Sequence, residues 1–167
     1  MASFDLAYDF MMDNEDAARA CAIVPDAPAG AHAISGINSA AFPASYAAIA
    51  ALVQDQREAA VYQFYKVKFW NSWFAQLQSD ELAKRVFDES VNAGGETAVS
   101  LLQRALGPPV AVDGGWGPQT LAASNSADPD ALVTAFISER VRYYEAIAAR
   151  HSSDEKYLAE WLVRARK

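Results

Sequence analysis

A glutamate near the end of a predicted first helix and the polar residues after it are the side chains best placed for chemistry. Glu15 lies among methionines and alanines, and an apolar setting keeps a carboxyl group protonated, as a general acid requires. Asp26, His32 and Ser35 follow on a segment rich in Gly and Pro, where a second carboxylate or polar group can position water. This order of residues is typical of glycosidic bond cleavage, although a single acidic residue at a helix end is more often simply solvated.

Helical periodicity dominates the elements that must position these residues. Ser3, Ser79 and Asp128 are predicted N-caps of three helices. Residues 22–38 form the only strand-like segment, which predicts a small β-hairpin. Further helices are predicted at 43–53, 56–73, 79–93, 96–106, 128–151 and 153–166, and the turn at the start of 112–124 leads into a short one. The sequence therefore predicts a mainly α fold with one small hairpin after the first helix.

Composition and charge exclude several classes of protein. The chain has 167 residues, 52% of them hydrophobic, and a formal net charge of −7, which argues against nucleic acid or anionic lipid as a partner. One Cys and two His argue against a disulfide framework and a metal cage, so we expect no metal and no cofactor. No apolar run is long enough to span a bilayer, and the start has no basic n-region. We therefore expect that the protein does not insert into a membrane. We also expect that it is synthesised in the cytoplasm without a signal peptide.

Four blocks of sequence resemble glycoside hydrolase family 108, the phage and prophage lysozymes that act as N-acetylmuramidases. The blocks are FDLAYDFMMDNED, PDAPAGAHAISGIN, AVYQFYKVKFWNSW and AKRVFDESVNAGGETAVSLLQRALG. The DGGWGPQT turn and the terminal WLVR resemble the peptidoglycan-binding segment that accompanies the family. The resemblance implies a single lysozyme-like domain over 1–167, with a catalytic segment at 1–92 and a peptidoglycan-binding helical segment at 93–167.

The family pattern implies that Glu15 is the catalytic acid, but its surroundings differ here. Asp16 and Ala17 replace the two glycines that follow the acid in the family, and Ala33 replaces a hairpin threonine. Asp26 and Ser35, or His32 in their place, are the candidates for the group that completes the displacement.

Further residues are candidates for substrate binding, each with a structural alternative. Aromatic side chains at helical spacing usually pack in a core, and the glycines of the DGGWGPQT turn are also what any tight turn needs. Asn92 either lines the cleft or lies at a helix C-terminus, and His32 is either an exposed hairpin residue or a substrate contact. The candidates are His32, Asp88, Asn92, Trp70, Trp73 and Tyr143.

The resemblance implies an endolysin that cleaves the β-1,4 bond between N-acetylmuramic acid and N-acetylglucosamine. We expect a monomer. Its partner would be the glycan strands of peptidoglycan, reached in the periplasm through a holin or a secretion system. Two alternatives stay open: a peptidoglycan-binding protein with weak or no catalysis, and a lysozyme-like effector toxin with an immunity protein. The chain from Arg140 onward carries 7 basic and 4 acidic residues, so the net charge does not argue against peptidoglycan.

Overall fold

Helices form most of the chain. The computed structural model describes residues 1–151 and 154–167, and the elements below are those of these ranges. The helices are α1 (Phe4–Glu15), α2 (Pro43–Ala50), α3 (Gln54–Lys68), α4 (Ser72–Gln76), α5 (Asp80–Ala93), α6 (Gly95–Leu106), α7 (Pro118–Ser126), α8 (Pro129–Arg150) and α9 (Glu155–Arg166). The strands are β1 (Ile23–Asp26), β2 (Ala31–Ile34) and β3 (Ile37–Asn38). The predicted mainly α class is confirmed.

The helix starts follow the predicted capping residues. Ser3, Ser79 and Asp128 each accept a hydrogen bond from a backbone amide of the helix that they begin. Such a bond satisfies one of the amides that a helix start leaves without an internal partner. The last helix begins at Glu155, and residue 153, where its start is predicted, lies outside the described residues. None of the helices in the described ranges has the length and apolarity to span a bilayer.

The predicted helix over 56–73 is divided in two. α3 ends at Lys68, and α4 begins after Asn71, whose side-chain oxygen accepts hydrogen bonds from the amides of Trp73 and Phe74 at 2.9 and 3.3 Å. An Asn side chain that binds nearby amides favours a new helix start over continuation of the old helix. Local capping therefore overrides the apolar periodicity here.

The sheet is antiparallel with the order β1-β2-β3, so it has one strand more than the predicted hairpin. In the register of β1 with β2, Ile23 pairs with Ile34 at one end and Asp26 pairs with Ala31 at the other. Ser35 and Gly36 make the two-residue turn to β3, with φ values of 47° and 80°. Positive φ at both positions is the geometry of a type I′ turn. This turn lies at the end of the sheet that faces α1.

The core is built around α5, which packs against α1, α6 and α8. Aromatic rings fill the space between α1, α4 and α5, where Phe4, Trp70, Phe74 and Phe87 pack edge to face or stacked. Burial of such large apolar rings supplies much of the driving force for folding. The start of α1, where Phe4 lies, is thereby packed against α5 at the centre of the molecule.

Gln103 of α6 organises the DGGWGPQT turn. Its buried side chain accepts hydrogen bonds from the amides of Asp113 and Gly114 at 3.0 and 2.9 Å. Its amide group donates to Asp113 Oδ1 at 2.7 Å and to the Gly115 carbonyl at 3.0 Å. The turn therefore has a structural role, which was one of its two predicted interpretations.

Candidate active site

Glu15 ends α1, and its carboxylate forms an ion pair with the last helix of the chain. Glu15 Oε1 lies 2.8 Å from Arg164 Nη2 on α9, and the two side chains are 18% and 14% exposed. A carboxylate at a helix C-terminus faces the negative end of the helix dipole, and a guanidinium partner offsets that repulsion. The pair leaves Glu15 mostly buried but still accessible from outside.

The type I′ turn of the sheet contacts the same carboxylate from another side. A Cβ atom built on Gly36 would lie 2.4 Å from Glu15 Oε2 and 2.8 Å from the Tyr65 hydroxyl oxygen. Only a residue without a side chain leaves room for this approach, and the positive φ of Gly36 also favours glycine. Gly36 therefore sets how closely the sheet and Glu15 approach each other.

Tyr65 of α3 joins the turn to the helical body. Its buried hydroxyl donates a hydrogen bond of 2.8 Å to the carbonyl of Ser35. Burial, followed by the charge of Glu15, raises the pKa of Tyr65, although Arg164 acts in the opposite direction. The hydroxyl thus stays protonated as a donor beside Glu15.

Asp16, which follows Glu15, holds the loop that leads into the sheet. It accepts hydrogen bonds from the Ser35 hydroxyl at 2.7 Å and from the amides of Cys21 and Ala20 at 2.8 and 3.1 Å. Burial alone raises the pKa of Asp16, but these bonds and the charge of Arg19 outweigh it and lower the pKa below its ordinary value. Asp16 therefore anchors the loop through its charged carboxylate.

A buried ionic cluster also binds Arg164. Arg164 Nη2 also lies 2.8 Å from Asp88 Oδ1, and Arg140 Nη2 lies 2.7 Å from Asp88 Oδ2. Arg140 Nε in turn lies 2.6 Å from Glu89 Oε2, and the side chains of Asp88, Glu89 and Arg140 have no exposed surface. Burial opposes the charge on Arg164, but the carboxylates of Asp88 and Glu15 outweigh it and raise the pKa of the guanidinium. Arg164 therefore keeps its positive charge.

Tyr144 extends this cluster toward the surface. It donates a hydrogen bond of 3.0 Å to Glu89 and accepts one of 2.5 Å from the side-chain amide of Asn92. Burial raises the pKa of Glu89, although Arg140 and Tyr144 both favour its charged form. Asp88 thus contacts the Glu15 site through Arg164. The path of bonds from Asn92 to Glu15 is longer and passes through five side chains, those of Tyr144, Glu89, Arg140, Asp88 and Arg164.

Asp26 lies at the far end of the sheet from Glu15. It pairs with Ala31, and about 10 Å of strand separates Ala31 from the residue before the Ser35–Gly36 turn. Its carboxylate accepts hydrogen bonds of 2.7 Å from the Asn38 side chain and from the amide of Ala27. The structure does not bring Asp26 to Glu15.

Ser35 lies in the turn beside Glu15. His32, in contrast, has no hydrogen bond to Glu15 among the described residues. The buried Ser35 hydroxyl donates to Asp16, so its carbonyl rather than its hydroxyl reaches Tyr65. His32 is exposed on β2, and its backbone exchanges hydrogen bonds of 2.9 and 2.8 Å with Ser39. Neither side chain is directed at Glu15 by these contacts.

The predicted aromatic candidates lie in three different surroundings. Trp70 packs against three rings of the core, with its centroid 5.1 Å from that of Phe74. Trp73 is half-buried on α4, and Tyr143 lies on α8 beside Tyr144, at a ring separation of 5.1 Å. Trp70 therefore has the packing role that aromatics at helical spacing usually have.

Two residues of the site were absent from the sequence-based candidates. Arg164 is the arginine of the WLVR block, and Tyr65 lies in the AVYQFYKVKFWNSW block. Both blocks are part of the family resemblance, so the signal was present in the sequence. What the sequence could not show is that α9 and α3 meet at the end of α1.

The described residues contain no group of three or more His, Cys, Asp or Glu side chains placed to hold a metal ion. The site consists instead of the accessible carboxylate of Glu15, the guanidinium of Arg164, the phenol of Tyr65 and the Ser35–Gly36 turn. Glu15 is the carboxyl group of this set that is partly exposed, so a bound ligand can reach it.

Comparison with known proteins gives one match to a family model and one to a solved structure. Residues 97–166 match the family model described as "Predicted Peptidoglycan domain", a range that lies within the predicted segment 93–167. The fold is similar to that of SagA from Brucella abortus, with a TM-score of 0.70 and 22% identity over 98% of this chain and 91% of that chain. No curated protein matches the sequence.

The chain is therefore mainly α-helical, and its residues 97–166 are similar to a peptidoglycan domain. The likeness to SagA, at 22% identity, shows the fold alone. The more specific resemblance to glycoside hydrolase family 108 remains a prediction from the sequence.

Proposed function

We propose that this protein is a muramidase that hydrolyses the glycan of peptidoglycan, with Glu15 as the general acid. The observation that carries the proposal is the Glu15 carboxylate, 18% exposed at the end of α1 and held between Arg164 and the Gly36 turn. The family match at 97–166 supports peptidoglycan as the substrate. We infer that the protein acts on the cell wall after a holin or secretion system delivers it.

In the proposed reaction, Glu15 donates its proton to the glycosidic oxygen while the C1–O bond of N-acetylmuramic acid breaks. Water adds to C1 and releases a proton, so hydrolysis yields two shorter glycans and restores the acid. Arg164 and Gly36 are positioning residues, because they lie against the carboxyl group and do not exchange protons with the substrate. Tyr65 acts at one remove, through its hydrogen bond to the Ser35 carbonyl of the same turn. Loss of proton transfer by a positioned acid typically costs about 10²- to 10⁴-fold in rate.

The test compares the wild-type protein with Glu15→Gln on purified peptidoglycan, with released reducing ends and muropeptides as the readout. We expect the variant to lose at least about 100-fold in rate. Glu145→Gln is the matched control, because Glu145 is an exposed glutamate on α8. Equal rates for the wild type and Glu15→Gln would remove Glu15 from the role of general acid.

One observation favours a second candidate, a peptidoglycan-binding protein with weak catalysis. Asp26 is the only acidic residue of the segment 22–38, and it lies at the far end of the sheet from Glu15. Glycosidases of the common type place two carboxyl groups about 5 to 9.5 Å apart across the scissile bond. Binding to insoluble peptidoglycan without release of reducing ends would favour this candidate over the muramidase.

A further inference from the structure

We propose that a groove between α1 and α3 binds the free side-chain ammonium group of the diamino acid in the peptide stem of peptidoglycan. This inference rests on the proposed function, because it takes peptidoglycan as the substrate, and it assigns a site to the peptide, which cleavage of the glycan does not involve. The groove has a volume of about 480 Å³. Its lining consists of Tyr8 on α1 and of five residues on α3, namely Asp55, Glu58, Ala59, Tyr62 and Gln63.

The Tyr8 hydroxyl is a buried polar group without a partner in the protein. Tyr8 is 4% exposed, and its hydroxyl oxygen has no hydrogen bond to any of the described residues. The neighbouring phenol differs, because Tyr62, whose ring lies 4.9 Å from that of Tyr8, donates its hydroxyl to Asp5. A buried hydroxyl without a bond costs free energy, and a phenol oxygen can accept a hydrogen bond from an N–H group. A ligand with an N–H donor in the groove therefore gains affinity at Tyr8.

Two carboxylates give the groove its charge. Asp55 and Glu58 are exposed and lie three residues apart, so they share one face of α3. In the ranges that the structure describes, neither carboxylate forms an ion pair or a side-chain hydrogen bond. Hydrogen bonds between an ammonium group and a carboxylate are among the stronger ones in proteins. The groove therefore favours a cationic ligand over a neutral or an anionic one.

The cations of the protein near the groove do not neutralise these carboxylates. Arg19 Nη2 lies 3.1 Å from a carboxylate oxygen of Asp9 and 3.6 Å from one of Asp13. Lys66 Nζ lies 5.5 Å from the centre of the Tyr62 ring, and neither Lys66 nor Arg19 belongs to the lining of the groove. Because Lys66 already packs on Tyr62, the ligand ammonium relies on the two carboxylates and on the Tyr8 hydroxyl.

The position of the groove fits the peptide stem. Tyr8 precedes Glu15 by seven residues on α1, which places both on the same face of the helix, about 10 Å apart along its axis. The stem begins on the N-acetylmuramic acid of the scissile bond, and its third residue is the diamino acid. Three extended residues span about 10 Å, so this diamino acid comes within reach of the groove. Its side-chain amino group, where it is not cross-linked, is the cation that the otherwise anionic polymer offers.

The experiment measures binding of two disaccharide tripeptides to the wild-type protein by calorimetry. Both consist of N-acetylglucosamine, N-acetylmuramic acid and a tripeptide, and they differ only in the third residue, which is lysine in one and Nε-acetyl-lysine in the other. We expect the free amine to bind about tenfold more tightly, since acetylation removes the charge. Glu58→Gln removes most of this preference, whereas Glu145→Gln, an exposed position on α8, keeps it.

Tyr8→Phe separates a binding role of the hydroxyl from a structural one. The variant keeps the ring in the core and removes a hydroxyl that has no partner, so we expect the melting temperature not to fall. We also expect it to weaken binding of the lysine compound several-fold and to change binding of the acetyl-lysine compound little. A lower melting temperature shows that the hydroxyl has a structural partner and contradicts the assignment.

Three outcomes separate the groove from the proposed function. Equal binding of the two compounds, in a protein that hydrolyses peptidoglycan, overturns the groove and leaves the muramidase intact. A preference for the free amine that persists in both Glu58→Gln and Tyr8→Phe also overturns the groove. A preference that both variants reduce, in a protein that releases no reducing ends, supports the groove and contradicts the muramidase.

Discussion

Glu15 and Asp88 share one nitrogen atom, because Arg164 Nη2 lies 2.8 Å from a carboxylate oxygen of each. Glu15 is partly exposed, whereas Asp88 is fully buried and also binds Arg140 at 2.7 Å. The buried carboxylate therefore anchors the guanidinium, and the guanidinium in turn orients the accessible carboxylate. This arrangement assigns the C-terminal helix a part in the site at the end of the first helix.

Replacement of Arg164 by Gln tests this arrangement. We expect Arg164→Gln to lower the rate of peptidoglycan hydrolysis at least tenfold, because the Glu15 carboxyl group loses its orientation. Loss of charged hydrogen bonds to Asp88 also lowers the free energy of unfolding by about 2 kcal/mol. Arg166→Gln, an exposed position on the same helix, serves as the control in both the rate assay and chemical denaturation. Unchanged hydrolysis in Arg164→Gln contradicts a positioning role.

Gly36 and Gly30 form a matched pair for the contact between the sheet and Glu15. Both have positive φ, 80° and 89°, so Ala at either position strains the backbone by about 1 kcal/mol. Only at Gly36 does a Cβ meet Glu15 Oε2 and the Tyr65 hydroxyl, since nothing lies within 4 Å of a Cβ at Gly30. We expect Gly36→Ala to abolish most activity and Gly30→Ala to retain it at matched folded concentration. Equal activity of the two variants shows that the contact has no functional effect.

Asp16 makes the stability of the loop depend on pH. Its pKa in the folded protein is lower than the ordinary value of 3.8, so the charged form stabilises the fold above that pH. This contribution is lost as the pH falls through the lower folded pKa. We expect Asp16→Asn to cost about 1 to 2 kcal/mol at pH 7 and progressively less below about pH 4. Denaturation of both proteins across this range measures the effect, and a pH-independent difference contradicts it.

Gln103 provides a test of the structural role of the DGGWGPQT turn. Gln103→Leu keeps a similar volume but removes the bonds to Asp113, Gly114 and Gly115, so amides and a carbonyl lose their partners. We expect the free energy of unfolding to fall by about 2 to 3 kcal/mol, with hydrolysis per folded molecule unchanged. Thermal melts and the reducing-end assay measure the two quantities. Lost hydrolysis at full stability indicates that the turn contacts the substrate instead.

Local signals in the sequence predict the elements, and tertiary contacts decide the site. Ser3 and Ser79 cap helices as predicted, because capping depends only on neighbouring residues. The partner of Glu15 depends on where α9 docks, and no local pattern contains that information. The position of Asp26 was also not predictable from a local pattern. Its distance from Glu15 follows from the register of the sheet and not from its place in the chain.

The contact between α1 and α9 also bears on when the site forms during synthesis. Residues 15 and 164 lie near opposite ends of the described chain, and a contact of such long sequence separation forms only after the intervening chain is available. A nascent chain on the ribosome therefore contains Glu15 long before it contains Arg164. The orienting partner arrives with the last helix, so an unfinished chain has the acid without its complete geometry.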